Sequence, residues 1–240
     1  MKKHKFFWMM IRFVVMMLAV LSLMACTYHP SISKTKTATL LSSHKNVAPE
    51  IRQAILVMED HFLFIHSTKV YAMEKSDLTW RQIMAPMNAV VGRSGFAPVG
   101  EKREGDGRTP SGLYRLGTTF GYAESAVTKM PYRQALADDL WIDDPKAPDY
   151  NNWVKQGQTR ATSYEKMRRN DNLYQYGIVI VYNTHPVIKN HGSAIFIHVW
   201  ADAESTTAGC VAVSEEDILK ILAWLNPEAN PVILINPEPL

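Results

Sequence analysis

Short apolar runs, each bounded by turn residues, limit the folds open to this chain more than any other feature. Residues 177–182 read Gly-Ile-Val-Ile-Val-Tyr, and four successive β-branched residues predict a strand that is buried on both faces. Similar runs recur between Gly, Pro, Asn and Asp residues, which favour turns. The other strands predicted in this way are 53–58, 62–66, 69–74, 80–83, 87–91, 113–116, 194–199 and 231–235. The chain is therefore predicted to be mostly β, with a few short helices.

One helix has clear signals at both ends. Ser214 is a predicted N-cap, because an acidic residue, Asp217, follows it at the third position. Apolar residues then recur at helical spacing as far as Leu225, and Pro227 ends the pattern.

The middle of the chain lacks such patterns. Residues 131–169 are polar and rich in aromatic side chains, and they predict long loops with one or two short helices. The aromatic side chains of the wider segment 122–169 either cover a binding cleft or pack in the core. They include Trp141, Tyr150 and Trp153.

The N-terminus has the form of an export signal. Basic residues up to Arg12 precede an apolar run, 13–25, which is shorter than the ~20 residues needed to span a bilayer. The motif Leu23-Met24-Ala25-Cys26 resembles the bacterial lipobox, in which the cysteine becomes the first mature residue and carries lipid. We expect a lipoprotein signal peptide over residues 1–25 and lipid attachment at Cys26. The alternative is an ordinary signal peptide with an incidental cysteine.

A lipid anchor also predicts where the protein acts. The residue after the cysteine, Thr27, is not the Asp that would indicate retention in an inner membrane. We expect an exported, lipid-anchored protein facing the periplasm, in the outer rather than the inner membrane, or facing the cell wall. Residues 26–50 are rich in Ser, Thr and Lys and predict a flexible tether, which leaves residues 51–240 for the folded domain.

The charge of the chain does not favour nucleic-acid binding. The whole chain has a net charge of +3, but residues 1–25 contain four basic and no acidic residues. Without the signal the chain is close to neutral, so its basic isoelectric point reflects targeting. No nucleic-acid partner is expected.

The second of the two cysteines, Cys210, is a candidate nucleophile. If Cys26 carries lipid, Cys210 is a lone thiol in an exported protein, where thiols are usually paired or absent. His198 lies twelve positions earlier and can accept its proton, since only the thiolate attacks carbonyls well. Gly209 would let the backbone approach a reacting carbonyl, and the Cys210 N–H could stabilise an oxyanion. The alternative, favoured for an arbitrary Cys and His, is that both are buried core residues.

Metal and phosphate sites are weaker explanations of these residues. The candidate metal ligands are His185, His191, His198 and Cys210. Their spacing matches no zinc pattern, so no metal is expected. The run 105–112 lacks the Gly-Lys-Ser/Thr ending of a phosphate loop and predicts a tight turn. Asp202 and Glu204 either orient the histidine or lie on a solvated loop.

Four blocks of sequence together resemble one enzyme family. They are Glu104–Gly112, Tyr182-Asn183, Gly192–His198 and Thr207–Ala212. In this order they resemble the L,D-transpeptidase catalytic domain of the YkuD type, over roughly residues 53–235. The resemblance implies a β-sandwich or open barrel with a few short helices, and a catalytic cysteine in a cleft.

The resemblance also implies a reaction. Cys210 would attack the carbonyl of the third residue of a peptidoglycan stem peptide, typically meso-diaminopimelate, and expel the terminal D-alanine. His198 would act as base and then as acid, and an amine would take the acyl group from the thioester. No cofactor is implied. The expected partners are peptidoglycan stem peptides and, through the lipid anchor, a membrane; a monomer is expected.

Two other functions remain open at this point. One is a cysteine hydrolase on the same substrate, an L,D-carboxypeptidase or amidase with water as acceptor. The other is a wall-binding lipoprotein without turnover. Both fit an anchored, exported chain as well as the acyltransferase does.

The resemblance assigns further roles and shows two departures. Oxyanion and loop support fall to Thr207, Gly209 and Val211. The implied substrate-binding residues are Tyr182, Asn183, Ser193 and Trp200. Most family members have His where this chain has Ala208, and Arg where it has Ala212. The chain therefore resembles a divergent branch whose donor or acceptor specificity differs.

Overall fold

Strands dominate the described part of the chain. The computed structural model describes residues 32–62 and 65–237, so the predicted signal peptide and the predicted lipid-attachment site, Cys26, lie outside the described residues. The strands are β1 (Gln53–Phe62), β2 (Ile65–Ser76), β3 (Thr79–Gln82), β4 (Met87–Val90), β5 (Phe96–Ala97), β6 (Thr109–Pro110), β7 (Gly112–Gly121), β8 (Tyr132–Gln134), β9 (Asp139–Ile142), β10 (Trp153–Lys155), β11 (Tyr164–Lys166), β12 (Tyr176–Ile180), β13 (Phe196–Val199), β14 (Val211–Val213) and β15 (Val232–Ile235). Within these residues the helices are α1 (Ile32–Ser43), α2 (Glu215–Trp224) and a 3₁₀-helix (Pro227–Ala229). The mostly β fold with few helices that the sequence predicts is confirmed.

Most of the strands form one sheet that closes on itself. Its order is β1-β15-β7-β12-β13-β14-β4-β2, and β2 pairs back with β1 in an antiparallel hairpin. The β13–β14 and β1–β15 pairs are parallel. Strands β3 and β8 extend this sheet beside β2 and β7. Strands β9, β10 and β11 form a separate three-stranded sheet, called the covering sheet below, and β5 pairs with β6.

Because successive side chains of a strand point to opposite faces, several strands contribute to two different apolar clusters. On β1, Ile55 and Val57 enter a central core, whereas Leu56 lies in a second cluster on the other face. The central core takes residues from every strand of the closed sheet and from α2. On β12, Ile178 faces this core and Val179 faces a third cluster, so the predicted burial on both faces is confirmed. Each fully buried aliphatic side chain contributes about 1.5–3 kcal/mol.

The packed part of the chain begins before the predicted boundary at Ile51. The tether predicted over residues 26–50 contains α1, where Leu40 and Leu41 are buried in the second cluster with strand residues such as Leu56. The outer faces of β1, β2 and β15 are apolar and need a cover, and Leu40 and Leu41 supply part of it. The flexible-coil description is therefore wrong for Leu40 and Leu41.

The outer face of β13 and β14 carries the third cluster. Ile197 and Val211 point into the central core, while Phe196 and Cys210 point the other way. Trp141 of the covering sheet belongs to the same cluster. The closed sheet and the covering sheet thus enclose Cys210 between them.

Two local predictions need correction. The sequence predicts separate strands at 53–58 and 62–66, but residues 59–61 continue β1, which pairs with β2 in an antiparallel hairpin. Residues 131–169 contain β8 to β11 and no helix, because their aromatic side chains pack across a small sheet. Elsewhere, Ser214 caps α2 as predicted, with its Oγ accepting a hydrogen bond from the Asp217 N–H. Among the described residues, no helix has the length and apolar character needed to cross a membrane.

Replacing Leu41 with Ala tests whether α1 is part of the folded domain. Leu41 is 1% exposed, so we expect a loss of roughly 2–5 kcal/mol in the free energy of unfolding from lost contacts and a residual cavity. Urea denaturation measures it. Ser42→Ala, at the exposed neighbouring position, is the control and is expected to change stability by less than about 0.5 kcal/mol. Equal stability of the Leu41→Ala variant and the parent would mean that the helix is not docked.

Candidate active site

The register of two parallel strands places Cys210 and His198 on one face. His198 lies opposite Ala212 in the β13–β14 pair, and Cys210 precedes Ala212 by two positions. Since alternate residues of a strand share a face, Cys210 and Ala212 point to the side on which His198 lies. The sequence-predicted pair is thus brought together on the outer face of the closed sheet, under the covering sheet.

The Cys210 thiol is buried and held by the backbone of β13 and the residues before it. Its Sγ–H donates to the Ala194 carbonyl at 3.2 Å, and Sγ accepts from the Phe196 N–H at 3.4 Å. Cys210 is 7% exposed, and burial raises the pKa of its thiol, to which the nearby Glu165 carboxylate adds. In this arrangement Cys210 is a neutral thiol.

His198 is held in one tautomer by the backbone. Its Nδ1–H donates to the Val199 carbonyl at 2.7 Å, and because a carbonyl only accepts, the proton sits on Nδ1 and Nε2 is the basic nitrogen of the neutral ring. The Tyr174 ring packs edge-on against the imidazole, with 5.2 Å between ring centroids. Burial lowers the pKa of His198 to about 4, so the ring is neutral at pH 7.

The resting pair is therefore a neutral thiol beside a neutral imidazole. Within the described residues no hydrogen bond joins Cys210 to His198, and Sγ instead donates to Ala194. The predicted orienting carboxylates, Asp202 and Glu204, lie on an exposed loop, so the solvated-loop alternative describes them. The backbone carbonyl of Val199 orients the His198 ring instead.

The turn before Cys210 requires glycine. Gly209 has φ +153°, and a Cβ there would lie 2.9 Å from the Arg108 carbonyl oxygen. The Thr207 hydroxyl accepts from the Gly209 N–H at 3.1 Å and donates to the Cys210 carbonyl at 2.7 Å. Thr207 and Gly209 therefore shape the loop that presents Cys210, while Val211 is fully buried in the central core.

The run 105–112, predicted to be a tight turn, also braces this loop. The Thr109 hydroxyl donates to the Cys210 carbonyl at 3.3 Å and accepts from the Gly92 N–H at 2.9 Å. Asp106 holds the turn by accepting from the N–H groups of Arg103 and Arg108. Spacing alone predicted the turn but not its contact with Cys210.

The predicted substrate-binding residues are used in different ways. The Tyr182 hydroxyl donates to the His191 carbonyl at 2.6 Å, and the Asn183 side chain bonds both backbone groups of Ile188. These two residues brace their own loop. Ser193 precedes the Ala194 carbonyl that accepts from Cys210, whereas the Trp200 side chain is partly exposed just after β13. Their role in binding substrate stays a prediction.

Ser193 belongs to a small polar network. Its hydroxyl donates to Glu104 Oε2 at 2.6 Å, and the Tyr150 hydroxyl donates to the same oxygen at 2.5 Å. Glu104 and Tyr150 come from two separate loops, so the network joins those loops to the residues before β13. Nothing in local sequence patterns indicates this contact.

Cys210 lies beneath an apolar cover, and the cleft that the resemblance implies around it stays a prediction. Trp141 packs against Phe196 at 4.9 Å between ring centroids, and both belong to the apolar cluster around the thiol. Two cavities of about 660 and 700 Å³ lie elsewhere, lined by residues that include Leu113 and Tyr114. Of the two alternatives for the aromatic middle segment, core packing describes Trp141, which belongs to the apolar cluster that also contains Cys210. A role for these side chains in covering a binding cleft stays a prediction.

The two departures from the family pattern have different surroundings. Ala208 is exposed on the turn before Gly209. Ala212 is fully buried directly opposite His198, so a longer side chain there would compete with the imidazole for space. Among the described residues, no group of three His, Cys, Asp or Glu side chains is arranged to hold a metal ion.

Comparison with known families is consistent with this site. The sequence model of the YkuD family, the L,D-transpeptidase catalytic domain, matches residues 60–234. This range is more than half of the chain and includes His198 and Cys210. No curated protein gives a significant match, and no solved structure does.

The buried histidine makes stability depend on pH. Because the His198 pKa is about 4 in the folded protein and about 6.5 in an unfolded chain, the unfolded state binds a proton first as the pH falls. We expect the stability contributed by the neutral imidazole to be complete above pH 6.5 and to decline by roughly 3 kcal/mol towards pH 4. Urea unfolding at several pH values measures this slope. The His198→Asn variant should have a shallower slope over the same range, and identical slopes would contradict the burial of a neutral histidine.

Replacing Thr109 tests the hydrogen bonds that hold the loop of the candidate nucleophile. Thr109→Val keeps the side-chain volume, but it leaves the Gly92 N–H without its acceptor and removes one hydrogen bond to the Cys210 carbonyl. We therefore expect the free energy of unfolding to fall by about 1–3 kcal/mol. Thr109→Ser retains the hydroxyl and is the matched control. Denaturation curves of the two variants give the comparison; a valine variant as stable as the serine variant would show that the hydroxyl is not needed.

Proposed function

The chain belongs to the L,D-transpeptidase catalytic-domain family, whose members are cysteine-dependent enzymes acting on peptidoglycan, and we propose that Cys210 is its nucleophile. One observation carries this proposal: Cys210 and His198 share a face of adjacent parallel strands inside the matched region. The proposed reaction is acyl transfer from a peptidoglycan stem peptide to an amine, in cell wall cross-linking or remodelling.

In the first half of the proposed reaction, His198 Nε2 takes the proton from Sγ. The sulfur attacks the carbonyl of the third residue, so an S–C bond forms and the carbonyl oxygen becomes an oxyanion. The Cys210 N–H, which follows the Gly209 turn, would stabilise that charge. The C–N bond to the terminal D-alanine then breaks, and the imidazolium returns its proton to the leaving amine.

In the second half, an amine attacks the thioester carbonyl. His198 takes a proton from the amine, the C–S bond breaks, and Cys210 leaves as thiolate and is reprotonated. Val199 keeps Nδ1 protonated in both halves, so Nε2 alone exchanges protons. No step needs a metal ion or an organic cofactor.

The buried pair has an energetic consequence for this mechanism. Charge separation between Cys210 and His198 is unfavourable in the resting site, because burial favours the neutral form of each group. Sγ must also exchange its bond to the Ala194 carbonyl for contact with the substrate. A bound peptide therefore has to displace part of the apolar cluster that includes Trp141.

The proposal extends to the location of the enzyme. The N-terminal motif ending at Cys26 supports export and lipid anchoring, with the domain facing the periplasm or the cell wall. The packed residues begin no later than Leu40. The stretch between Cys26 and these residues is therefore shorter than the tether predicted over residues 26–50. The enzyme would then work close to its membrane.

Mass spectrometry of protein and products tests the proposed function. The exported full-length protein is incubated with a disaccharide-tetrapeptide, and we expect a thioester adduct on Cys210 with release of D-alanine. Cys210→Ala should lose both, and His198→Asn should slow adduct formation by about 10²–10⁴-fold, the usual contribution of a general base.

The products distinguish the candidate functions. Peptide dimers joined between third residues would identify the acyltransferase, and tripeptide alone would identify a hydrolase. A folded protein that gives neither adduct nor product would rule out both enzymes and leave a wall-binding lipoprotein.

A further inference from the structure

The covering sheet presents one charged residue to the buried thiol. In its register, Trp153 lies opposite Trp141 on one side and Glu165 lies opposite Trp141 on the other. Residues directly opposite each other in a sheet point to the same face, so these three side chains form a row. Trp141 packs on Phe196, whose N–H donates to Cys210 Sγ, and therefore the row faces the candidate nucleophile. Glu165 is its only ionisable member.

The position of Glu165 differs from that of its neighbours in β11. Tyr164 and Lys166 are exposed and point away, whereas Glu165 is only partly exposed. The Tyr174 hydroxyl donates to Glu165 Oε2, and the Tyr174 ring packs against His198. The carboxylate is thus fixed at the edge of the site by a residue that also contacts the candidate base.

Among the residues that the structure describes, no cation forms an ion pair with Glu165. Removal from water raises its pKa, and the carboxylates of Asp143 and Glu104 add to this. Asp143 Oδ1 is buried without a hydrogen-bond partner in the described part of the chain. The Arg169 guanidinium lowers the pKa of Glu165, but it makes three hydrogen bonds of 2.8–3.1 Å to Asp171. The site therefore favours a cationic ligand.

The same carboxylate acts on the thiol. Glu165 raises the pKa of Cys210, because a negative charge disfavours a second negative charge nearby. A cation bound to Glu165 would cancel this repulsion. Binding of the cation and ionisation of Cys210 would then favour each other.

We propose that Glu165 is a specificity-determining residue that binds a primary ammonium group of the stem peptide beside Cys210. This inference rests on the proposed function, because it concerns the substrate of the same site. The ammonium belongs either to the side chain of the donor's third residue or to the incoming acceptor amine. In both cases the carboxylate selects a substrate that carries the charge needed next to the thiol.

Two forms of one substrate test the proposal on the full-length protein. One is a disaccharide-tetrapeptide whose third residue, diaminopimelate, has a free side-chain amine, and the other is the same compound with that amine acetylated. If the donor supplies the ammonium, we expect the wild type to release D-alanine from the free-amine form about tenfold to a hundredfold faster. Glu165→Gln, which keeps an acceptor for Tyr174, should react with both forms at similar rates. Glu124→Gln removes a carboxylate from an exposed site in the same segment and should retain the wild-type ratio.

The acceptor arm uses the second half of the reaction. If the incoming amine is the ligand, D-alanine release is unchanged in Glu165→Gln, and transfer of the acyl group to an added stem peptide slows by about tenfold or more. A variant that matches the wild type in both arms would overturn the proposal. If the wild type reacts but does not distinguish the two donors, and the variant transfers normally, only the inference fails. If the wild type reacts with neither donor, the proposed function fails as well.

A measurement that does not depend on turnover distinguishes the electrostatic role of Glu165 from a merely structural one. In a full-length chain carrying Cys26→Ser, Cys210 is the only thiol, so iodoacetamide labels it alone. Because Glu165 raises the pKa of Cys210, Glu165→Gln should shift the pH midpoint of labelling downwards, while Glu124→Gln leaves it in place. An unchanged midpoint in a folded Glu165→Gln variant would contradict the electrostatic link between the two residues.

Discussion

The parallel pairing of β13 with β14 is the constraint on which the rest of the site depends. It sets Ala212 opposite His198 and so brings Cys210 to the same face, although twelve residues of chain separate His198 from Cys210. The opposite faces of the two strands hold Ile197 and Val211 in the central core. A shift of one residue in this register would send Cys210 into the core and a valine to the surface, so burial of the apolar face fixes the chemistry of the other face.

Burial favours the neutral forms of both groups in the candidate pair. The thiol and the imidazole are both neutral because a charge in this environment is poorly solvated, and the covering sheet adds the carboxylate of Glu165 close to the thiol. Such a site is inert until a ligand changes its electrostatics. Such burial would protect the thiol from oxidation or modification at the exported location that we propose.

A good part of the fold follows from local patterns, and the exceptions have physical causes. The strand at 177–182 and the helix capped by Ser214 were predictable because each has a strong local signal. Residues 131–169 were not, since the three strands of the covering sheet are stabilised by packing of Trp141 and Trp153 rather than by their own propensity. Helix α1 was missed for the same reason, as Leu40 and Leu41 become a packing surface only beside the outer face of β1.

The sequence by itself determined the class of fold, the family and the candidate pair, because strand periodicity and the blocks around His198 and Cys210 are local in the chain. Tertiary structure alone decided what surrounds that pair. The carbonyl that orients His198, the hydroxyl of Thr109 behind Cys210 and the carboxylate of Glu165 come from backbone geometry or from distant segments. Their effect depends on distance and on exclusion of water, and neither exists until the closed sheet and its cover have folded together.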